Sequence, residues 1–487
     1  MLELIDNLQH LGIGYLFDKE INESLSNISS KRDDVLSKKD LHATSLLFRL
    51  LRDHGFQVKQ DVFDDFTDRS GEFVDSLCDN TKGLLSLYEA SYHGFEGEST
   101  IDKGRAFSTE QLKEYMKGNE KMNLREQVDH ALELPRLWRM QRLEALWFID
   151  QYERQGDINI VLLNLAKLDF NMVQSVHQES LRSLSRWWAD LGLGEKLSYM
   201  RDRLPEHFLW GVGTTSAPQY RLSREGVTKV CCLITAIDDT YDVYGSIDEL
   251  VLFTDAIERW DLMNAMEKLP DYMKILFLVI FNTTNEMAYE IMKDKGVDVT
   301  LHFRRGWTDF CKAHLVEAKW YHSAYKPTLD EYLNNAFISI SGPVLLCFFY
   351  FWVAEEITQE AMECLKEENL FRSLWIAFRL ADDLGTSSDE LKRGDVPKAI
   401  QCYMNENEVS EEVSREHIRS LLSEKWKNIN EDRVAPSPFP REVVDAAIDL
   451  LRIAQCIYQY GDGHGSPDKE TKDQIMSLFI QPISLDA

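Results

Sequence analysis

The chain has 487 residues, of which 44% are hydrophobic and 11% are aromatic. This length exceeds what a single hydrophobic core usually supports, so we expect two domains. The 54 Lys and Arg residues against 82 Asp and Glu residues give a net charge of −28, which argues against nucleic-acid partners and anionic membrane surfaces. Stable membrane insertion is also not expected, because Asn, Ser and Pro interrupt the longest uncharged stretch, residues 332–354, as in a core helix.

The eight cysteines form no CxxC pair and no Cys/His ligand spacing, which predicts reduced thiols in an intracellular compartment. No signal or transit peptide is visible at Met1, where an amphipathic pattern is already under way. We therefore expect a plastid location if a transit peptide has been removed and a cytoplasmic location otherwise.

Nearly every segment has the hydrophobic spacing of an amphipathic helix, beginning with residues 41–55 and continuing through residues 81–94 and 181–197. Alternating β patterns of useful length are missing, so the fold class is predicted to be all-α. The glycine-containing stretch Leu191–Glu195 is a candidate boundary, which divides the chain into domains at residues 1–194 and 195–487. Both acidic clusters follow this boundary, so we assign the chemistry to the second domain and mainly stability to the first.

The first acidic cluster ends a predicted buried helix, in the stretch TKVCCLITAIDDTYDVYG. Asp238 and Asp242 are four residues apart, so a continuous helix would place both carboxylates on one face. Asp239 lies about 100° around the helix from Asp238, and we expect it to accept a hydrogen bond from an arginine instead of binding a metal. Carboxylates on an apolar helix are costly to bury, which favours metal binding or catalysis over a solvated face.

The second acidic cluster follows the apolar run FRSLWIAFRL. Asp382, Thr386 and Glu390 recur at every fourth residue and would form a stripe of oxygen donors on one helix face. Arg379 shares that face, and it either forms a salt bridge within the helix or contacts the same phosphate as the metal. Two facing stripes of oxygen ligands suit Mg²⁺, which usually takes its remaining ligands from water and a substrate phosphate.

Basic residues near both clusters would balance an anion that the overall charge repels. Arg201 and Arg203 belong to the triplet RDR before the first cluster, and Lys398 follows the second. Together with Arg379, these residues are candidates for binding a pyrophosphate group.

These motifs resemble those of class I terpene synthases. DDTYD matches the DDxxD motif of that family, and DDLGTSSDE matches its second motif, (N/D)DxxSTxxE. The RDR triplet, the RWW triplet at Arg186 and the terminal YGDGHG also resemble plant enzymes that make monoterpenes. The resemblance covers essentially the whole chain. The tandem-arginine RRx8W motif of cyclising members is absent, and the chain is expected to be truncated at the N-terminus because it starts too late to contain that motif.

The resemblance implies two helical domains, a non-catalytic N-terminal α-barrel and a C-terminal catalytic helical bundle. It implies three Mg²⁺ ions, for which Mn²⁺ can substitute, and an allylic diphosphate substrate in a monomer or weak homodimer. The metal ligands would be Asp238, Asp242, Asp382, Thr386 and Glu390, and Asp239 would join Asp238 and Asp242 in the catalytic motif. The residues that bind the diphosphate would be Arg201, Arg203, Arg379 and Lys398. No DxDD acid occurs, so ionisation should start from departure of the diphosphate.

The carbocation of such a reaction needs a dry, apolar cavity with aromatic faces to stabilise it. Trp210, Tyr458 and Trp307 are the candidates. Pro343 has no N–H and stands in mid-run of a predicted helix, so the carbonyl of Ser339 would lose its helical partner and could face the cation. Cys231, two turns before the first cluster, is small, and this favours a substrate of ten carbons or more.

The sequence therefore predicts a Mg²⁺-dependent monoterpene synthase, a lyase of the EC 4.2.3 type. It would ionise geranyl diphosphate and release an acyclic or cyclic monoterpene and diphosphate. One alternative is a sesquiterpene synthase acting on farnesyl diphosphate. A metal-dependent phosphohydrolase is another, but it would need a hydrophilic site with a base that activates water. A non-enzymatic helical scaffold would not explain carboxylates aligned on apolar helices.

Overall fold

The computed structural model describes residues 1–118, 124–156, 158–365, 367, 371–393 and 396–485, with residues 388–393 described by their backbone alone. Within these ranges the chain is helical and forms no strand, apart from one isolated β-bridge between Thr67 and Phe73, so the all-α prediction is confirmed. The eight cysteines are all free thiols.

The first of two compact units contains the described residues of 1–172, 423–436 and 483–487. Its main helices are α1 (Leu2–His10), α2 (Asp18–Ser30), α3 (Asp33–Leu36), α4 (Leu41–Asp53), α5 (Thr81–Ser91), α6 (Ser99–Lys117), α7 (Arg125–Glu133), α8 (Gln141–Glu153) and the first part of α9 (Ile160–Leu191). Short 3₁₀ helices lie at Gly14–Phe17, Gln60–Phe66, Asp75–Leu77 and Arg136–Trp138.

Buried charges inside this first unit are paired. The Arg52 guanidinium donates to both carboxylate oxygens of Glu98, at 2.6 and 2.5 Å, and to the carbonyl of Val58. Asp6 accepts hydrogen bonds from Arg49 and Arg136. Pairing of this kind allows ionised side chains to be buried between packed helices.

The second unit contains the described residues of 173–422 and 437–482. Its helices are the rest of α9, α10 (Leu193–Lys196), α11 (Leu204–Thr214), α12 (Arg221–Asp239), α13 (Ile247–Arg259), α14 (Leu262–Lys268), α15 (Asp271–Lys295), α16 (Thr300–His322), α17 (Leu329–Ser339), α18 (Gly342–Val353), α19 (Gln359–Cys364), α20 (Arg372–Arg393), α21 (Ala399–Asn407), the first part of α22 (Glu411–Val434), α23 (Arg441–Ile457) and α24 (Lys469–Phe479). A 3₁₀ helix lies at Pro218–Tyr220.

Two glycines allow the close helix packing that positions the acidic clusters. A Cβ atom on Gly211 of α11 would lie 2.6 Å from the carbonyl oxygen of Arg224 in α12. A Cβ atom on Gly385 of α20 would lie 2.8 Å from the carbonyl oxygen of Tyr458, just after α23. Any larger side chain at either position would push these elements apart.

The predicted helix through Pro343 is wrong in one respect, because the stretch forms two helices. α17 ends at Ser339, Ser341 adopts a left-handed conformation with φ of +76°, and Pro343 lies in the first turn of α18. A proline fits the first turn because the N–H there has no helical partner. The segment Leu329–Val353 is long and apolar enough to cross a membrane, but 78% of its most apolar window is buried inside the fold.

The helix that carries the first acidic cluster also departs from the predicted geometry. α12 ends at Asp239, and the next five residues, Thr240–Tyr244, form a π-helical turn in which the Gly245 N–H donates to the Thr240 carbonyl at 2.8 Å. A π turn contains more residues than an α turn, so Asp238 and Asp242 are not related as in a continuous α-helix. Such turns are frequent at functional sites.

Candidate active site

One pocket in the second unit brings the two acidic clusters together. Its volume is about 840 Å³, including the part that is open to solvent. Of the residues that the sequence predicts for the site, those that line the pocket are Asp238, Asp242, Asp382, Thr386, Arg201, Arg379, Lys398, Trp210, Cys231, Ser339 and Tyr458. Residues more than 250 positions apart thus meet around one cavity, and both oxygen donors and cations line it.

The remaining predicted residues do not line this pocket. Arg203 lies beside it, and its guanidinium donates to the carbonyls of Asp202 and Gly465, at 3.0 and 3.2 Å. Trp307 is fully buried in packing: its indole N–H donates to the Thr284 hydroxyl at 2.9 Å. The predicted cavity role of Trp307 is therefore wrong, because the helix turns its side chain into the core. The side chain of Glu390 lies outside the described residues.

The first acidic cluster forms one wall of the pocket, here called the first wall, and Arg201 binds two of its carboxylates. Its Nη2 donates to Asp238 Oδ2 at 2.5 Å, while its Nε and its backbone N–H each donate to the Asp239 carboxylate at 2.7 Å. Asp239 thus has the arginine partner that the sequence predicts, and it faces away from the pocket. One aspartate of the pair lines the cavity and the other holds the arginine in place.

The second acidic cluster, here called the second wall, has the same arrangement. Arg379 pairs with Asp382, which lines the pocket, and its Nε donates at 2.8 Å to Asp383, which is fully buried. Asp383 also accepts hydrogen bonds from the Tyr332 hydroxyl at 3.1 Å and the Ala399 N–H at 2.9 Å. Arg379 therefore forms the intrahelical salt bridge and also lines the pocket, while its contact with a phosphate stays a prediction.

The electrostatics of the pocket favour the ionised form of Asp238. Burial would raise the pKa of Asp238, but the charges of neighbouring cations, Arg201 above all and also Lys398, outweigh it and lower the pKa below its usual value. Burial has the larger effect on Asp239, whose pKa is raised. The carboxylates in turn raise the pKa of Arg201 despite its burial, so the guanidinium stays charged.

The donor set fits a hard cation such as Mg²⁺. Asp238, Asp242 and Asp382 offer carboxylate oxygens to one pocket. The hydroxyl of Thr386 donates its hydrogen to the Asp382 carbonyl at 3.0 Å, which leaves the lone pairs of the hydroxyl oxygen available as a ligand. Mg²⁺ prefers such oxygen ligands and completes its shell with water and phosphate oxygens.

Histidines and acids that the sequence analysis assigned no role also line the pocket. His314 and Glu317 come from α16, and Asp462 and His464 come from the loop after α23. Asp462 and His464 belong to the YGDGHG motif, which is recognisable in the sequence although its pattern does not indicate a role for either residue. The position of His314 could not be predicted, because a single histidine on a helix does not indicate which residues it faces.

Part of the pocket lining is aromatic. The ring centroid of Trp210 lies 5.4 Å from that of Phe378 and 6.1 Å from that of Tyr458. Cys231 also lines the pocket, from α12, and is almost fully buried, and this burial raises the pKa of its thiol. The thiol therefore stays neutral and behaves as a small apolar side chain.

Ser339 lines the pocket, but its carbonyl is not left free. Pro343 supplies no N–H, and the Ser339 carbonyl instead accepts a hydrogen bond from Nε2 of His314 at 3.2 Å. The Ser339 hydroxyl donates to Glu317. The predicted free dipole is therefore wrong, because a neighbouring helix supplies the missing donor.

Acid is expected to destabilise the fold in a pH window set by His464. The Trp210 indole N–H donates to Nδ1 of His464 at 3.2 Å, and Nε2 lies 3.3 Å from the Thr235 hydroxyl. Burial, together with the charge of Arg201, lowers the pKa of His464 to about 4. The unfolded chain should titrate near a pKa of about 6.5. Between these values the unfolded state binds more protons, so stability present above about pH 6.5 is lost as the pH falls toward 4.

Thermal unfolding followed by circular dichroism between about pH 7.5 and 4 checks this expectation. His464→Gln should keep hydrogen-bonding capacity without the titration, so the difference in Tm between wild type and variant should shrink as the pH falls. A difference that stays constant across the window would contradict the assignment.

Comparison with known proteins identifies the family. A profile described as "Terpene synthase, N-terminal domain" matches residues 1–132, and one described as "Terpene synthase family, metal binding domain" matches residues 189–428. The chain is 54% identical to a (-)-alpha-terpineol synthase of Vitis vinifera, over 99% of this chain and 82% of the relative. It is 53% identical to a chloroplastic myrcene synthase of Quercus ilex, over 99% and 81%.

Two solved structures have the same fold. Isoprene synthase from grey poplar leaves (Populus x canescens), in complex with three Mg²⁺ ions and dimethylallyl-S-thiolodiphosphate, is 46% identical, with a TM-score of 0.94 over 99% of this chain and 92% of that one. Limonene synthase with 2-fluorolinalyl diphosphate is 43% identical, with a TM-score of 0.96 over 99% and 90%. The chain therefore belongs to the terpene synthase family and is a lyase of the EC 4.2.3 type.

Proposed function

We propose that this enzyme is a Mg²⁺-dependent monoterpene synthase that ionises geranyl diphosphate and releases a monoterpene and diphosphate. The observation that carries the proposal is one pocket lined both by oxygen donors and cations, such as Asp238, Asp382 and Arg201, and by the aromatic rings of Trp210, Phe378 and Tyr458. An amphiphilic substrate with an anionic head and a hydrocarbon tail matches that mixed lining. The relatives named for terpineol and myrcene, both monoterpene products, support the ten-carbon choice.

The pocket has the groups that would bind a diphosphate. It is lined by the cations Arg201, Arg379 and Lys398 as well as by the carboxylates of the two walls. Mg²⁺, when bound by Asp238, Asp242, Asp382 and Thr386, would supply Lewis-acid stabilisation of the leaving diphosphate. The neighbour structure that contains three Mg²⁺ ions and a thiolodiphosphate supports Mg²⁺ as the metal and a diphosphate as the ligand.

Arginine forks pre-oriented by buried aspartates suit this role. Asp239 and Asp383 hold Arg201 and Arg379 in position before substrate arrives, so little reorganisation is required when negative charge develops on the leaving group. Each guanidinium also offers planar, bidentate hydrogen bonding to phosphate oxygens. We therefore assign to these arginines the binding and orientation of the diphosphate.

The aromatic lining would protect the allylic cation that remains. The indole ring of Trp210 lies near the rings of Phe378 and Tyr458, and such aromatic faces stabilise cations by about 0.5–2 kcal/mol each. Excluding water from this lining delays quenching of the cation until a proton is lost or one water molecule is admitted. Acyclic and cyclic, hydrocarbon and alcohol products are all compatible with this chemistry.

Product analysis tests the proposal directly. Purified enzyme is incubated with Mg²⁺ and, separately, with five-, ten- and fifteen-carbon allylic diphosphates, and the volatiles are identified by gas chromatography with mass spectrometry. Geranyl diphosphate should give the highest kcat/KM and a ten-carbon product, and chelation of the metal should abolish turnover. Preference for farnesyl diphosphate would favour the sesquiterpene alternative, and release of the free prenyl alcohol as the only product would favour a phosphohydrolase.

Cys231→Phe is expected to move substrate preference toward the five-carbon diphosphate. The larger ring would occupy part of the pocket beside α12 and exclude the longer tail. The misfit amounts to several methylene groups, at about 1–3 kcal/mol each. It should lower the ratio of kcat/KM for geranyl diphosphate to kcat/KM for dimethylallyl diphosphate by at least about 100-fold. Cys78→Phe is the control, because Cys78 is only partly buried and lies outside the pocket. Cys402→Phe is not suitable, because Cys402 is fully buried. An unchanged ratio would contradict the position of Cys231.

We also propose a plastid location, since the myrcene synthase relative is named chloroplastic. The oligomeric state, monomer or weak homodimer, stays a prediction that sedimentation velocity at several concentrations would check.

A further inference from the structure

We infer that His314 is a nitrogen ligand of the metal ion held by Asp238 and Asp242, and that it raises the affinity of this position for Mn²⁺ relative to Mg²⁺. The inference rests on the proposed function insofar as that function places an ion at these two carboxylates. It adds a third, chemically different ligand, and with it a metal preference.

The geometry brings three donor atoms together. One carboxylate oxygen each of Asp238 and Asp242 and one ring nitrogen of His314 all lie within 4.8 Å of one another. His314 Nδ1 is 4.0 Å from Asp238 Oδ1. An ion with bonds of about 2.1 Å can bridge atoms up to about 4.2 Å apart, so this gap accommodates a cation.

The tautomer of the neutral ring is set by a hydrogen bond on its other side. Nε2 of His314 lies 3.2 Å from the Ser339 carbonyl oxygen, which can only accept, so Nε2 carries the hydrogen. The lone pair of the neutral ring is then on Nδ1, the atom that faces Asp238. A hydrogen bond from the second ring nitrogen to a carbonyl is the usual way in which proteins orient a histidine that binds metal.

The facing nitrogen has no hydrogen-bond partner among the described residues. His314 is only 4% exposed, and Nδ1 makes no hydrogen bond within the described part of the chain. A buried polar atom without a partner costs about 1–3 kcal/mol, and a ligand in the pocket would remove that cost. An ion pair with Asp238 is the alternative, but 4.0 Å is beyond hydrogen-bond distance and Oδ2 of that carboxylate already accepts from Arg201.

The break between α17 and α18 explains why this arrangement exists. Pro343 provides no N–H for the Ser339 carbonyl, so that carbonyl is available to orient the imidazole of His314 from α16. The helix break thus acts on the metal position through His314.

An imidazole changes which ion is preferred. Mg²⁺ favours oxygen ligands, whereas nitrogen donors increase the relative affinity for transition-metal ions. On the second wall, Asp382 and Thr386 provide oxygen donors. The two walls should therefore differ in metal preference. The affinity for Mn²⁺ relative to Mg²⁺ should be higher at the position held by Asp238, Asp242 and His314 than at the second wall.

Pulsed electron paramagnetic resonance of the full chain with Mn²⁺ tests the assignment without relying on turnover. The metal is added alone and with inorganic diphosphate, and the echo modulation is examined for coupling to ¹⁴N. Coupling should be present in the wild type, absent in His314→Phe and retained in His464→Gln, which removes another pocket histidine. His314→Gln, with its fold checked by circular dichroism, serves as a second variant if His314→Phe does not fold.

Metal titrations supply the magnitude. His314→Phe should lower Mn²⁺ affinity by at least about tenfold, with a smaller loss for Mg²⁺ measured by competition. Mn²⁺ bound without ¹⁴N coupling in the wild type, or coupling that persists in both His314 variants, would overturn the inference while leaving the proposed function intact. Coupling that depends on His314 in an enzyme that turns over no allylic diphosphate would instead overturn the proposed function alone.

Discussion

Asp238→Asn is expected to lower kcat with geranyl diphosphate by at least about 10²–10³-fold while leaving the helical content unchanged. The amide keeps the shape of the side chain and an oxygen for Arg201, but it removes the negative charge that faces the pocket. Loss of one preorganised electrostatic group in an active site typically has an effect of this size. Steady-state kinetics with Mg²⁺, together with a circular dichroism spectrum, measures both quantities.

The chain offers a matched control for this change. Asp248 is an exposed aspartate in the first turn of α13, and Asp248→Asn removes the same charge ten residues away. Its kcat should stay within about twofold of wild type. Equal losses in both variants would show that net charge matters and the position does not, and full activity of Asp238→Asn would remove this carboxylate from the mechanism.

Arg379→Ala is expected to lower Tm by about 5–10 °C. The substitution leaves Asp383, which is fully buried, without its guanidinium partner, and breaking a buried pair costs about 3–5 kcal/mol. The Tyr332 hydroxyl and the Ala399 N–H remain as partners, which limits the effect to the stated range. Differential scanning calorimetry without ligand measures it.

The same variant should also bind inorganic diphosphate more weakly, since the guanidinium of Arg379 lines the pocket. We expect the inhibition constant for diphosphate to rise by at least about tenfold, as for loss of a charge-assisted bidentate contact of about 1.5–3 kcal/mol. Arg441→Ala is the control, because it removes a half-exposed arginine paired with Asp445 along α23 and such pairs contribute about 0–1 kcal/mol. A destabilised Arg379→Ala with unchanged inhibition would make Arg379 a structural residue alone.

The two walls share one design that explains both predictions. In each adjacent pair of aspartates, one carboxylate faces the pocket and the other holds an arginine that also reaches the pocket. Adjacent residues on a helix point about 100° apart, so a DD pair can serve two directions at once. Substituting the buried member should therefore affect activity indirectly, by releasing its arginine.

Much of the fold and site could be predicted because the relevant signals are local. Helical periodicity predicts the all-α class, and the spacing of Asp382 and Thr386 places both on one face of α20, where they line the pocket. The carboxylate of Asp238, near the end of an apolar helix, indicates a site because burying it without compensation is too costly, whereas Asp242 is exposed in the π turn that follows.

From the sequence alone it could be predicted that Asp382 and Thr386 share a face of the helix that carries Arg379, because side-chain direction along a helix follows from its repeat. Only the tertiary structure decided the π turn after Asp239, the burial of Trp307 away from the cavity and the meeting of His314 with Asp238. These features depend on how helices far apart in the sequence pack together, and residue spacing within one helix carries no information about which neighbour its side chains will face.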